Sequence, residues 1–201
     1  STANAKKYAA NYPEKVFYTE HENHQNKGQS ASKNLGVKLC SGELVTFFDA
    51  DDVWLPNFLE EQIHIFQTYP TVSMVCQASK YWYSWNHSGA PDKIIPVGST
   101  QDAIHHPPQL LFDLYPLNQG AAPCPCGFIM RKEAFLHHGG FESTFRGMYD
   151  DQVLLVKFYL HEDVYISSRC DNWYRQREGS LVAEGNKGLR IFSERKRFLE
   201  W

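Results

Sequence analysis

The sequence predicts an α/β fold, with a mostly parallel central sheet and helices on its faces. Three observations predict it. Helical and strand-like stretches alternate over the first 77 residues, and alternation at this spacing belongs to a parallel sheet. The runs 44–48 and 72–76 are short and apolar, as buried strands are. The first run leads straight into Asp49, Asp51 and Asp52. That is the carboxyl end of a strand, where such sheets bind ligands.

Each element has its own warrant. Ser1 or Thr2 can cap a helix running to Ala10, which Pro13 ends. Residues 15–19 read as a short strand, and 21–29, polar and holding Gly28, as a loop. Residues 30–40 read as a helix with Ala31, Leu35 and Leu39 on one stripe and Gly42 as its stop. Pro56 opens a helix with Leu59, Ile63 and Phe66 at i, i+4 and i+7. The aromatic run 81–85 fits an exposed strand or a loop, and 91–97 another strand. Residues 102–114 are partly helical despite Pro107-Pro108, and 116–125 are turn-rich. A strand at 127–130 precedes a short helix, 131–138, stopped by Gly139 and Gly140.

The last third reads more sharply. Residues 150–160 form an almost all-round apolar helix with Asp150 and Asp151 in its first turn, where the macrodipole favours carboxylates. Residues 164–167 are a strand, and 173–177 extend or end in a loop with Gly179 and Ser180. Residues 188–201 form a basic amphipathic helix. Lys187, Arg190, Arg195, Lys196 and Arg197 accompany Leu189, Ile191, Phe192, Phe198 and Trp201. A chain of 201 residues is one domain. It divides into residues 1–77, residues 78–185 and the C-terminal helix (186–201).

Composition excludes several classes. With 42% hydrophobic and 14% aromatic residues the chain can build a core. A formal net charge of −3 gives no global basic field for nucleic acid. No apolar run approaches the about 20 residues that cross a bilayer, and the start lacks the apolar segment of a signal peptide. Five dispersed cysteines fit reduced thiols, and Cys124-Pro125-Cys126 lacks zinc-knuckle spacing. The pairs His105-His106 and His137-His138, and His21 with His24, lack a third ligand and read as surface histidines.

Clustered acids repel one another unless a cation or hydrogen-bond donors offset their charge. Asp49, Asp51 and Asp52 therefore point to a divalent-cation and phosphate site. The plainer alternative is a turn in which an acid caps the helix after Pro56, a role that suits Asp52 best.

Four blocks then lie in register. They are Asn26-Lys27-Gly28 running to Gly36, Gly42 to Pro56 with its acidic turn, Gly139-Gly140-Phe141-Glu142 followed by Tyr149-Asp150-Asp151-Gln152, and Tyr174 to Ser180. In order and spacing they resemble family 2 glycosyltransferases, which have the Rossmann-like type A fold, and the resemblance covers about residues 1–180. It implies inverting transfer from a nucleotide sugar, a UDP-sugar foremost, to a hydroxyl of a glycan or lipid-linked acceptor. It implies a divalent cation, Mg²⁺ or Mn²⁺, with Asp51 as main ligand and Asp49 near the metal or the ribose. Asp151 matches the family's catalytic base. Lys27, Gly28, Asn34 and Arg177 fall among the donor contacts, and Asp150, Trp54 and Gly140 beside the acceptor or behind the reacting groups. A cytoplasmic enzyme of surface-glycan synthesis follows, at the inner face of the membrane if the terminal helix touches lipid rather than packing on the domain.

Two departures accompany the resemblance. The family's first strand and its nucleoside-binding acidic segment would precede Ser1, so the chain is expected to be N-terminally truncated and inactive alone. Many members carry His where this chain has Arg177. Arginine cannot ligate a metal at ordinary pH and is expected to pair with a phosphate oxygen instead.

Bland readings stand beside these. Asp150 and Asp151 also suit a helix dipole alone, Asn26-Lys27-Gly28 an ordinary turn, and Lys33-Asn34 a solvated face. Gly139-Gly140-Phe141 either stops a helix or lets backbone approach a donor sugar. Trp54 and the 81–85 aromatics either stack on sugars or pack. Two other functions fit the acids: a non-catalytic nucleotide-sugar or glycan-binding module, and a nucleotidyltransferase.

Overall fold

The computed structural model describes residues 2–86, 89–180 and 190–201. In chain order the elements are α1 (Thr2–Asn11), α2 (Gln29–Leu39), β1 (Leu44–Thr46), β2 (Val53–Trp54), α3 (Phe58–Thr68), β3 (Met74–Gln77), β4 (Ser79–Trp82) and β5 (Lys93–Ile95). Then come β6 (Ala103–His105), α4 (Gln109–Asp113), β7 (Phe128–Arg131), α5 (Lys132–His137), α6 (Asp150–His161), β8 (Val164–Ser167), β9 (Asn172–Arg175) and α7 (Arg190–Glu200). The expectations for Ser1, Lys187, Gly188 and Leu189 concern positions outside the described residues.

Alternation of side chains along β3, β7 and β8 organises the core. Met74, Cys76, Phe128, Met130, Val164 and Ile166 point to one face, where α2, α5 and α6 supply Val37, Phe135, Leu154, Leu155 and Phe158. Val75, Ile129 and Tyr165 point to the other, against Phe58 and Phe66 of α3. The fully buried Phe58, Phe128, Phe135 and Phe158 each contribute about 2–3 kcal/mol.

The central sheet runs β1-β7-β3-β8-β6, and a smaller one β2-β9-β4-β5. The expected mostly parallel sheet is in fact mixed. In the central sheet β3 pairs β8 in parallel, while the β1–β7, β7–β3 and β8–β6 pairs are antiparallel. The early βα alternation does leave β1, β3 and β8 running the same way. β7 then enters between β1 and β3 in the opposite sense, which periodicity along the chain does not report.

Several local expectations shift. Residues 15–19 form no ladder, and Phe17 is 80% exposed. Helix α2 buries Ser30 and Val37, with Ala31, Lys33, Asn34 and Leu35 half-buried beside them, while Leu39 of the expected stripe is exposed. Gly42 is not its stop, because Cys40 in extended conformation ends the helix. Helix α3 buries Phe58, Gln62 and Phe66, whereas Leu59 and Ile63 are exposed. The 102–114 stretch divides into β6 and α4. The surface-histidine reading fails at His105 and His138. The His105 ring is hydrogen-bonded to the Thr100 carbonyl at 2.9 Å, and His138 Nε2 to Glu162 at 2.6 Å. All five cysteines are free.

Candidate active site

The acidic turn is stitched to β9. Asp52 N–H donates to the Asp49 carbonyl at 3.1 Å, closing the turn. β2 then pairs antiparallel with β9, Val53 opposite Trp173. Asp52 is buried and accepts the Arg175 backbone N–H at 3.0 Å, while Arg175 Nε donates to the Asp51 carbonyl at 2.6 Å. Asp52 thus braces β9 rather than capping α3. Burial, opposed by that N–H, pushes its carboxyl up to about 6.

Asp49 and Asp51 are half-buried, and Asp51 forms an ion pair with Arg177 at 3.2 Å. The Arg175 guanidinium lies over Trp82 at 4.7 Å and Trp85 at 4.9 Å. The aromatic run therefore holds an arginine, and those ring faces are in use.

The second acid pair heads α6. Tyr149 sits before it in the left-handed region at φ 67°, with its hydroxyl against that of Tyr115. Asp150 is buried, its Oδ2 without a hydrogen bond and 3.9 Å from Lys33 Nζ. Asp151 accepts the Gln152 N–H at 2.8 Å and the Gln152 side-chain amide at 3.3 Å. Burial holds both carboxyls above the ordinary range, Asp150 at about 6, with Lys33 pulling each down.

The two acid groups face a common neighbourhood. Cys124 and Tyr174 each lie close enough to feel both the Asp52 and the Asp151 charge. Burial comes first in pushing both up, the thiol to about 12. Carboxylates of the turn and of the head of α6, with an arginine beside the turn, can bind a phosphorylated ligand and accept a proton.

Other expected site residues are committed elsewhere. Trp54 stacks on Phe58 at 4.5 Å, contacts Phe48 at 4.4 Å and donates its indole N–H to the Cys126 carbonyl at 2.8 Å. Neither ring face is open to a sugar. Asn34 exchanges two hydrogen bonds with the Phe141 backbone, at 2.9 and 3.0 Å, so its amide clamps α2 to the loop before α6. Gly140, at φ +65°, would place a Cβ 2.6 Å from Asn34 Oδ1 and 2.8 Å from the Phe135 ring, so protein atoms fill that side. Gly28, at φ +89°, precedes α2 in a turn closed by Asn26 at 3.0 Å, with Lys27 exposed beside it.

Sequence reasoning passed over Arg175, Tyr149 and the inward direction of Lys33. The spacing of Ser30, Lys33, Asn34 and Val37 is i, i+3, i+4, i+7, a buried-face signal hidden because three of the four are polar.

A divalent cation fits this donor set in one form. Among the described residues no cluster of three or more His, Cys, Asp or Glu could hold a metal alone. Two half-buried carboxylates suit an ion of the Mg²⁺ type that completes its shell with water and substrate phosphates.

No helix among the described residues is long and apolar enough to cross a membrane. In α7 the Arg195 and Arg197 guanidiniums donate to the Pro116 carbonyl at 2.8 Å and the Thr144 carbonyl at 2.6 Å, and Phe198 is buried against Tyr149. The helix packs on the domain through these groups.

Comparison with known proteins adds the lineage. Residues 1–139 match the model of glycosyl transferase family 2. Over 50 residues, 25% of this chain and 16% of the other, the sequence is 42% identical to the uncharacterized glycosyltransferase alr2836 of Nostoc sp. strain PCC 7120. Over 37 residues, 18% of this chain and 15% of the other, it is 43% identical to an Escherichia coli enzyme. That enzyme is the UDP-Glc:alpha-D-GlcNAc-diphosphoundecaprenol beta-1,3-glucosyltransferase WfgD. The fold is similar to S. aureus TarS 1–349, with TM-score 0.59 and 17% identity over 87% of this chain and 48% of that one. The complex of TarS 1–349 with UDP-GlcNAc gives TM-score 0.59 and 17% identity over 91% and 49%. The chain therefore spans about half the length of these solved structures and less of the curated relatives. The TarS likeness bears out the α/β fold that the resemblance implied, and the family model covers most of the sequence: the chain belongs to glycosyl transferase family 2.

Proposed function

We propose that this chain carries the donor and base sites of an inverting glycosyltransferase. It moves a sugar from a UDP-sugar to a hydroxyl of a glycan or lipid-linked acceptor in surface-glycan synthesis. The observation that carries the reading is the shared neighbourhood of the acidic turn and the head of α6, with Cys124 and Tyr174 sensing both. Family membership supports glycosyl transfer. The UDP-GlcNAc of the TarS complex and the UDP-Glc in the name of WfgD support a uridine donor.

In this reading Asp51 and Asp49 would hold a divalent cation, which would supply positive charge against the leaving diphosphate. Arg177, 3.2 Å from Asp51, is the protein's own cation at that end and suits a phosphate oxygen. Asp151 takes the proton of the acceptor hydroxyl as its oxygen bonds to the anomeric carbon and the bond to the diphosphate breaks. Burial lifts the Asp151 carboxyl, which makes it a stronger base in its ionised form. Attack opposite the leaving group inverts the anomeric centre, as in other one-step displacements at that carbon.

Product analysis tests the reading. The intact protein, given UDP-sugars and acceptor lipids or glycans with Mn²⁺, should release UDP and form a glycoside of inverted configuration. Pyrophosphate as product would mean nucleotidyl transfer instead, and calorimetric UDP binding without turnover would mean a binding module.

A further inference from the structure

Lys33 lies where a lysine is costly to put. Its side chain is 11% exposed, and the ammonium sits over the rings of Phe141 at 4.9 Å and Phe47 at 5.7 Å. It stands 3.9 Å from Asp150 Oδ2, whose side chain is 9% exposed. The position is fixed from both sides. Asn34, the next residue, clamps the Phe141 backbone, and Ser30 Oγ donates to the Phe145 carbonyl at 3.0 Å. Helix α2 is thereby fastened to the segment that leads into α6, with Lys33 between the fastenings.

We propose that Lys33 is a positioning residue for the reaction: held between two phenylalanine rings, it is the counter-charge of the adjacent carboxylates Asp150 and Asp151. Two neighbouring carboxylates out of water hold on to a proton between them unless a cation opposes it. A protonated Asp151 cannot accept the acceptor's proton. Both carboxyls are raised by burial, and Lys33 opposes the rise at each. Cys124, Tyr149, Tyr159 and Tyr174 also lie close enough to feel the Asp151 charge, and burial comes first in raising each of them, which keeps them neutral. Cation–π contact with Phe47 and Phe141 offsets part of the cost of burying the ammonium.

The role in transfer rests on Asp151 being the base, but the charge relation is testable without substrate. Aspartate carboxyl carbons are titrated by NMR in the wild-type chain and in Lys33→Met, Lys33→Gln and Lys33→Arg, with Asp150→Asn and Asp151→Asn for assignment. In either uncharged variant that folds, the pair should take up its first proton about one to three pH units higher than in wild type. Lys33→Arg should restore the wild-type midpoint to within about half a unit. In the intact protein the acid limb of kcat should move by the same interval, with KM for a UDP-sugar unchanged. An unmoved midpoint in a folded uncharged variant overturns the proposal, as does a raised KM with an unmoved midpoint, which makes Lys33 a donor contact. Failure of the base assignment is read separately, from Asp151→Asn turnover.

Discussion

Gly140→Ala should destabilise the protein far more than Gly139→Ala, although the two glycines are adjacent and both have positive φ. The difference comes from what stands beside each. A Cβ on Gly139 (φ +75°) meets nothing within 4 Å. A Cβ on Gly140 (φ +65°) meets Asn34 Oδ1 at 2.6 Å and Phe135 ring carbons at 2.8 Å. The left-handed conformation costs alanine about 1–2 kcal/mol at either site. Overpacking adds about 1–3 kcal/mol at Gly140 alone. Displacing Asn34 loosens its two hydrogen bonds to Phe141, about 1 kcal/mol each. The totals are about 1–2 kcal/mol for Gly139→Ala and about 4–7 kcal/mol for Gly140→Ala. At about 3 °C per kcal/mol for a domain of this size, Tm should fall by about 3–6 °C and about 12–21 °C respectively. Thermal melts followed by circular dichroism read both. Equal Tm values for the two variants would refute the packing argument and reopen the space beside Gly140 to a ligand.

Other outcomes follow from the same geometry. Arg177→Ala should weaken UDP binding several-fold in calorimetry while changing stability by less than about 1 kcal/mol, because its pair with Asp51 is largely exposed; unchanged UDP affinity would remove Arg177 from the donor site. Phe198→Ala should cost about 3–5 kcal/mol by opening a cavity beside Tyr149, which a Tm shift under about 2 °C would contradict. Asp150 has a folded value raised to about 6 from an ordinary 3.8. Its stabilising contribution is therefore fully present below about pH 4 and lost as pH rises through about 6. Urea midpoints of Asp150→Asn should fall less between pH 4 and pH 7 than those of wild type, and parallel curves would contradict the burial of that carboxyl.

What the sequence made legible is local and periodic. Strand β8 and helix α6 were readable because their residues are apolar in runs of the right length. The acidic turn was readable because three acids follow a strand with no element between them. Tertiary context decided the rest. Helix α2 turned its polar stripe inward because Ser30, Lys33 and Asn34 find partners in the 141–150 segment, more than a hundred residues away. Trp54 looked like a sugar platform until Phe48 and Phe58 covered its faces. The antiparallel entry of β7 depends on strand order, which no window of sequence contains.

The proposed function turns on Asp151 accepting the acceptor's proton in a site assembled with the Asp49–Asp52 turn. The most direct measurement is the single-turnover transfer rate of the intact protein with Asp151→Asn, alongside UDP affinity by calorimetry. Transfer should fall by about 10²–10⁴-fold with UDP affinity within about twofold of wild type. Transfer at the wild-type rate by Asp151→Asn would contradict it.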